Sequence, residues 1–349
     1  MQFEPREHVS ALSAALAPVL AVAIALALCS VLILWTGVPV LEAYGLLLKG
    51  AFGSKFAISE TLTRATPLML TGLAAAVAFR AKFWNIGAEG QLYCGALAVT
   101  WLGTGAVQLP PFLMIPLLCL AGALAGGAAL IIPVVLKNRL KVDEVVTTLL
   151  LNFIILLFVS YLLEGPWKDP MSLGWPQGAS VIDEGVLPKL IAKTRLHLGL
   201  ILAVAAAIVV WLVMSFTVWG YEIRAVGHNA TAAAFAGISV NKTIIRTALL
   251  SGGLAGLAGV TEVAGLKGYL TLDLSPGFGY AGIAVAMLAQ LHPLGVIVSA
   301  LFLSAIFVGA GFMSRAVEIP TYIADVLVAT SLLMVLLSVM LVRFRLRRG

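Results

Sequence analysis

From Leu12 to Trp35 the chain carries no charged side chain, and apolar runs of similar length recur as far as position 342. An α-helix needs about 20 consecutive apolar residues to cross the hydrocarbon core of a bilayer. In that medium backbone N–H and C=O groups must be satisfied inside the segment, so such runs cross as helices. Composition agrees: 61% of the 349 residues are hydrophobic and 11% are charged, against about 25% charged in soluble domains. The chain therefore reads as an all-α polytopic membrane protein, one transmembrane domain over 1–349.

Helices are expected near 12–35, 58–79, 88–107, 112–136, 144–163, 196–218, 245–264, 278–291, 294–313 and 321–342, about ten crossings in all. The eighth is short enough to be a partial or re-entrant segment. The first exceeds the roughly 7–15-residue core of a signal peptide and lacks a small-residue cleavage site, so it is read as a retained helix. Lys and Arg in short connections mark the cytoplasmic side. With both termini cytoplasmic, Arg80, Lys82, Lys137, Arg139, Lys141, the segment Trp219 to Arg246 and the tail Arg343, Arg345, Arg347 and Arg348 all fall inside. The net charge of +6 follows that topology rather than a nucleic-acid stripe. Cys29, Cys94 and Cys119 lie in apolar spans without paired spacing, which indicates packing and neither a disulfide framework nor a metal site.

Five stretches interrupt the apolar runs. Trp219 to Arg246 carries Glu222, Arg224, His228, Asn229, Asn241, Lys242 and Arg246 between two spans, so it must lie at a membrane face. Within it Asn229 is placed to N-cap a short helix from Ala230 to Ala236 that Gly237 closes. Phe79 to Tyr93 (FRAKFWNIGAEGQLY) brings Asn85, Glu89 and Gln91 into the start of a span, with Gly87 and Gly90 between them. Polar groups in that position face a bundle interior or an aqueous path, or else brace a kinked helix start with Glu89 paired to Arg80 or Lys82. In KVDEVVTTLLLNF, residues Glu144, Thr148 and Asn152 fall on one helical face. Gly265 to Gly279 (GLKGYLTLDLSPGFG) is a second break, at the opposite membrane face from the first, an arrangement that inverted-topology repeats produce. The loop from Glu164 to Arg195, with four prolines and Trp167 and Trp175, is expected to be an ordered periplasmic cap. Runs such as Ala121 to Ala129 and Ser251 to Gly259 let helix backbones approach closely.

Glu222, Arg224, Gly227, Asn229, Ala233, Gly237 and Ile238 resemble the cytoplasmic coupling loop of ABC importer permeases of the branched-chain amino acid, ribose and nucleoside group. Trp84 to Gly87 followed by Ala88 to Gln91 (WNIG, AEGQ) resembles a signature of the nucleoside and simple-sugar members, and Glu144 to Asn152 resembles another segment of that group. The resemblance implies a permease subunit that moves nucleosides, or alternatively simple sugars, across a bacterial cytoplasmic membrane. It implies a cytoplasmic ATP-binding cassette ATPase, a second homologous permease or a homodimer, and a periplasmic or lipid-anchored substrate-binding protein. By the same resemblance Glu222, Arg224, Gly227, Asn229 and Gly237 couple to the ATPase, and Asn85, Glu89, Gln91 and Asn152 line the translocation path. No G-x-x-x-x-G-K-[ST] string occurs, so any ATP is bound by a partner. Neither H-E-x-x-H nor a nucleophile beside a histidine is present, so catalysis and cofactors are not expected. A secondary transporter would carry more acids deep in its spans than Glu89 and Glu262.

Overall fold

A computed structural model describes residues 2–5, 11–318 and 320–347; His8 and Arg348 lie outside the described residues. The described residues form fourteen α-helices, which cover the ten expected places and add others between them. They are α1 (Ala11–Trp35), α2 (Val40–Phe52), α3 (Lys55–Arg80), α4 (Ala88–Gly103), α5 (Pro111–Ala129), α6 (Ile131–Leu140), α7 (Glu144–Glu164), α8 (Gly199–Phe216), α9 (Val218–His228), α10 (Ala230–Phe235), α11 (Val240–Val260), α12 (Phe278–Leu288), α13 (Pro293–Ala316) and α14 (Thr321–Arg343). Among the described residues six helices are long and apolar enough to cross a membrane, or up to seven if the α1–α2 pair is one broken span. The other expected places hold shorter helices such as α4 and α12.

The chain divides into two compact units, with the divisions falling inside α3 and α13. In the first, 1–64 with 301–349, α1 and α2 bend by 118° at Thr36 to Pro39. The Tyr44 hydroxyl donates to the Leu26 carbonyl, Gly50 of α2 leaves room for the Phe312 side chain of α13, and Gly309 of α13 faces the Leu47 carbonyl of α2. The ends of the chain meet as a two-stranded antiparallel pair, β1 (Gln2–Pro5) with β2 (Phe344–Arg347).

In the second unit, 65–300, the glycine runs do what their composition predicts. A Cβ on Gly95 would stand 2.1 Å from the Gly256 carbonyl oxygen, one on Gly126 2.3 Å from that of Gly252, and one on Gly259 2.0 Å from that of Leu92. Helices α4, α5 and α11 thus pack main chain against main chain. Beyond Val260, α11 widens into a π-helical turn, Thr261–Lys267, that ends at Gly268 with φ +81. The helix therefore persists past Gly265, and the second break spans only 268–277. The 164–195 loop packs against the π-helical turn and the second break. Its amides at Gly178, Val181 and Leu187 donate to Leu270, Gly268 and Ala264 at 2.9, 2.7 and 2.8 Å.

Between α8 and α11 the sequence predicted one short helix, and the structure has two. The Thr217 hydroxyl accepts from the Gly220 amide at 3.1 Å, starting α9 immediately after α8, and Ile223 and Val226 are buried on its inner side.

Candidate functional site

Two short helices organise the centre of the second unit. The 16 residues of α4 extend ~24 Å and the 11 of α12 ~17 Å, both less than the ~30 Å hydrocarbon core. Their N-termini adjoin. A Cβ on Gly279 would stand 2.2 Å from the Glu89 amide nitrogen, and the Gly279 amide donates to Glu89 Oε2 at 2.6 Å. The Ser275 hydroxyl and the Gly277 amide also turn to that carboxylate. An acid at a helix N-terminus meets unpaired amides and a favourable dipole. Glu89 meets two such ends, its own and that of α12, and it does not pair with Arg80 or Lys82.

From this junction the helices run apart. Helix α12 lies along α3 in the same direction: Thr71 Oγ1 donates to the Phe278 carbonyl at 2.9 Å, Gly72 packs on Val285, and Arg80 Nε donates to the Leu291 carbonyl at 3.2 Å. Helix α4 runs the other way and ends at Gly103, whose carbonyl accepts from Ile182 of the cap at 2.8 Å. Tyr93, 1% exposed, donates its hydroxyl proton to the Leu272 carbonyl at 2.5 Å and fixes the break above α12. In that break the Thr271 hydroxyl holds the Asp273 carboxyl below its usual range, with Lys267 3.1 Å away assisting.

In the break before α4, residues 81–87, the amides of Ala81, Lys82 and Phe83 donate back to carbonyls of α3, and α7 supplies the acceptors for Trp84 and Ile86 and for Gly90 in the first turn of α4. Trp84 N donates to Glu144 Oε1 at 3.3 Å, Ile86 N to Thr148 Oγ1 at 3.2 Å and Gly90 N to Asn152 Oδ1 at 2.9 Å. The polar stripe predicted on one face of α7 is a ladder that binds backbone. Asn152 Nδ2 donates to the Ile86 carbonyl at 3.0 Å and to the Tyr280 hydroxyl at 3.2 Å. Thr148 also bonds the Glu144 carbonyl of its own helix at 2.7 Å. Lys137 forms an ion pair with Glu144. Inside the break Asn85 and Gln91 exchange two hydrogen bonds, each of 2.9 Å, and Asn85 Nδ2 also reaches Ser251 Oγ of α11 at 3.0 Å. The structure thus gathers Asn85, Glu89, Gln91 and Asn152 into one buried cluster, 0–4% exposed. Each uses its polar atoms on the protein itself. Sequence reasoning missed Ser251, Tyr280 and Tyr93; the signal for Ser251 was its place in a run of glycines.

The second group of predicted residues lies on α9 and α10. Asn229 caps α10 as expected, Oδ1 accepting from Ala232 N at 3.0 Å. Gly237, at φ +83, turns the chain out of it while Ile238 N closes on the Ala233 carbonyl at 3.0 Å. Gly227 meets the end of α3, where its Cβ would stand 1.9 Å from the Arg80 carbonyl oxygen. Glu222 Oε2 accepts from Thr243 Oγ1 at 3.5 Å, and Arg224 lies near enough to act on the charge of Arg80. The outer face of α10 is open, with Phe235 91% exposed. Among the described residues no group of His, Cys, Asp and Glu is arranged to hold a metal ion.

Residues 57–342 match the family described as branched-chain amino acid transport system / permease component. The chain is 36% identical to the glucose ABC transporter permease protein TsgB13 of Haloferax volcanii, over 99% of this chain and 93% of that one. It is 36% identical to the guanosine ABC transporter permease protein NupP of Bacillus subtilis, over 94% of each. With the nucleoside ABC transporter permease protein NupB of Lactococcus lactis it shares 32% over 90% of this chain and 88% of that one. Paired half-helices in a polytopic chain, the expected sequence segments and these relatives agree: the chain belongs to the branched-chain amino acid transport system permease family and is the multi-pass permease subunit of an ABC importer, working with an ATPase and a substrate-binding protein.

Proposed function

We propose that this permease imports nucleosides across a bacterial cytoplasmic membrane, with its translocation path passing the junction of α4 and α12. The observation that carries the path is the meeting of two half-helix N-termini at Glu89, since interrupted helices paired in this way mark the transport site of membrane transporters. Asn85, Gln91 and Asn152 hold the break that shapes one wall of the path, and Glu89 holds the other half-helix to it. The names of the guanosine and nucleoside relatives support the substrate class. The glucose relative, equally identical over a larger share of the chain, supports simple sugars as the second reading.

The ATPase docks on α9 and α10. Glu222, Arg224 and Gly227 seat α9, while Asn229 and Gly237 fix the two ends of α10. The pairing of β1 with β2 brings both termini to one side of the first unit, consistent with cytoplasmic ends. The chain has no phosphate-binding loop, so hydrolysis belongs to the partner, and a second homologous permease completes the pair, as a heterodimer or a homodimer. A lipid-anchored or periplasmic binding protein delivers the substrate to the cap side.

Uptake of labelled guanosine by cells expressing the whole transporter tests the substrate class. Excess adenosine or uridine should compete and excess glucose should not. Competition by glucose alone would reverse the assignment in favour of sugars.

A further inference from the structure

Arg80 stands where three elements come together. Its carbonyl oxygen faces Gly227 of α9 with no space for a Cβ. Its own residue ends α3 and opens the 81–87 break, where Lys82 takes φ +52. Its Nε donates across to the Leu291 carbonyl at 3.2 Å. Leu291 and Gln290 form the turn that closes α12, both in the left-handed region at φ +60 and +52. Residues other than glycine or asparagine hold that conformation only where their surroundings impose it. The guanidinium bond to Leu291 is one such restraint.

We propose that Arg80 is the positioning residue through which movement of α9 and α10 reaches both half-helices. The proposal rests on the reading that the ATPase docks there. A glycine backbone pressed on a carbonyl has no side chain to yield, so displacement of α9 displaces the end of α3. Close-packed interiors transmit such shifts between discrete arrangements rather than absorb them. From that end the motion divides. Along the main chain it enters the break that leads into α4. Through the planar, always charged guanidinium it enters the turn at the far end of α12. Helix α9 has a further link, from Glu222 to Thr243, but that one leads into α11, a full-length helix.

The test uses the complete transporter, with ATPase, permeases and binding protein, in liposomes. Two quantities are read together: ATP hydrolysed per substrate imported, and disulfide cross-linking of a cysteine at Ala232 to the ATPase. In Arg80→Met the cross-link should form as in the parent, while ATP used per substrate rises at least about fivefold, the low end of measured coupling energies. Arg80→Lys, which keeps the charge and the stem, should lie between the two. If Arg80→Met gives no assembled complex, Arg80→Lys carries the test alone, with a raised ratio still required. Hydrolysis and import falling together in proportion to assembled complex would make Arg80 a stability residue and overturn the inference. A parent ratio with a parent cross-link would overturn it too, leaving the docking reading intact. No cross-link in the parent would remove the docking reading and this inference with it.

Discussion

Asn152 is a buried amide whose partners lie far away in the sequence. A buried amide requires partners, and its sequence position demanded them without naming them. The partners are main-chain groups of Gly90 and Ile86, 62 and 66 positions earlier, and the Tyr280 hydroxyl, 128 positions later, which only the folded chain brings near. Replacing Asn152 by Leu strands one buried N–H and one C=O, at about 1–3 kcal/mol each. The expected result is a lower melting temperature in detergent, with import per folded complex reduced because the break before α4 is no longer held. An unchanged melting temperature would show that the ladder does not fix that break. The same logic explains why Glu89 was placed beside Arg80 or Lys82 in one sequence reading: local neighbours are visible in sequence, whereas Gly279, 190 positions away, is not.

At the scale of elements, composition foretold packing well. Small residues in α5 and α11 predicted close helices, and Gly256 indeed has the Gly122 carbonyl oxygen 2.1 Å from where a Cβ would sit. Gly256→Val should therefore lower stability by about 1–3 kcal/mol, the usual cost of overpacking. Gly45→Ala provides the contrast, since nothing lies within 4 Å of its Cβ position in α2. There the gain of helix propensity should leave stability equal or raised by about 0.5–1 kcal/mol. Melting curves of both variants decide the matter, and equal losses would deny that backbone contact is what joins α4, α5 and α11. Less was legible where a helix starts on a single cap. Thr217 was an available N-cap for α9, yet the polar content of 219–246 masked the amphipathic face made by Ile223 and Val226. The π-helical turn after Val260 left no sequence mark at all, so the second break was placed to begin three residues early, at Gly265 instead of Gly268.

For the whole molecule, apolar run length settled the class, and the interrupted stretches are where the breaks before α4 and α12 and the short helices α9 and α10 lie. The number of crossings was less legible, because α12 is apolar but only 11 residues long and α4, 16 residues long, opens on Glu89 and Gln91. The orientation proposed from the charge distribution is checked by a cysteine at Ala230, exposed at the start of α10: a membrane-impermeant thiol reagent should label it only after the cytoplasmic face is opened. The central claim is that this chain imports a solute by borrowing the hydrolysis of a docked ATPase. The most direct measurement is accumulation of labelled guanosine in liposomes holding the purified transporter, with binding protein on one side and ATP on the other. The account predicts accumulation that needs ATP, the ATPase and this permease together, and that survives collapse of proton and sodium gradients. Accumulation by the permease alone, driven by an ion gradient and indifferent to ATP, would contradict it.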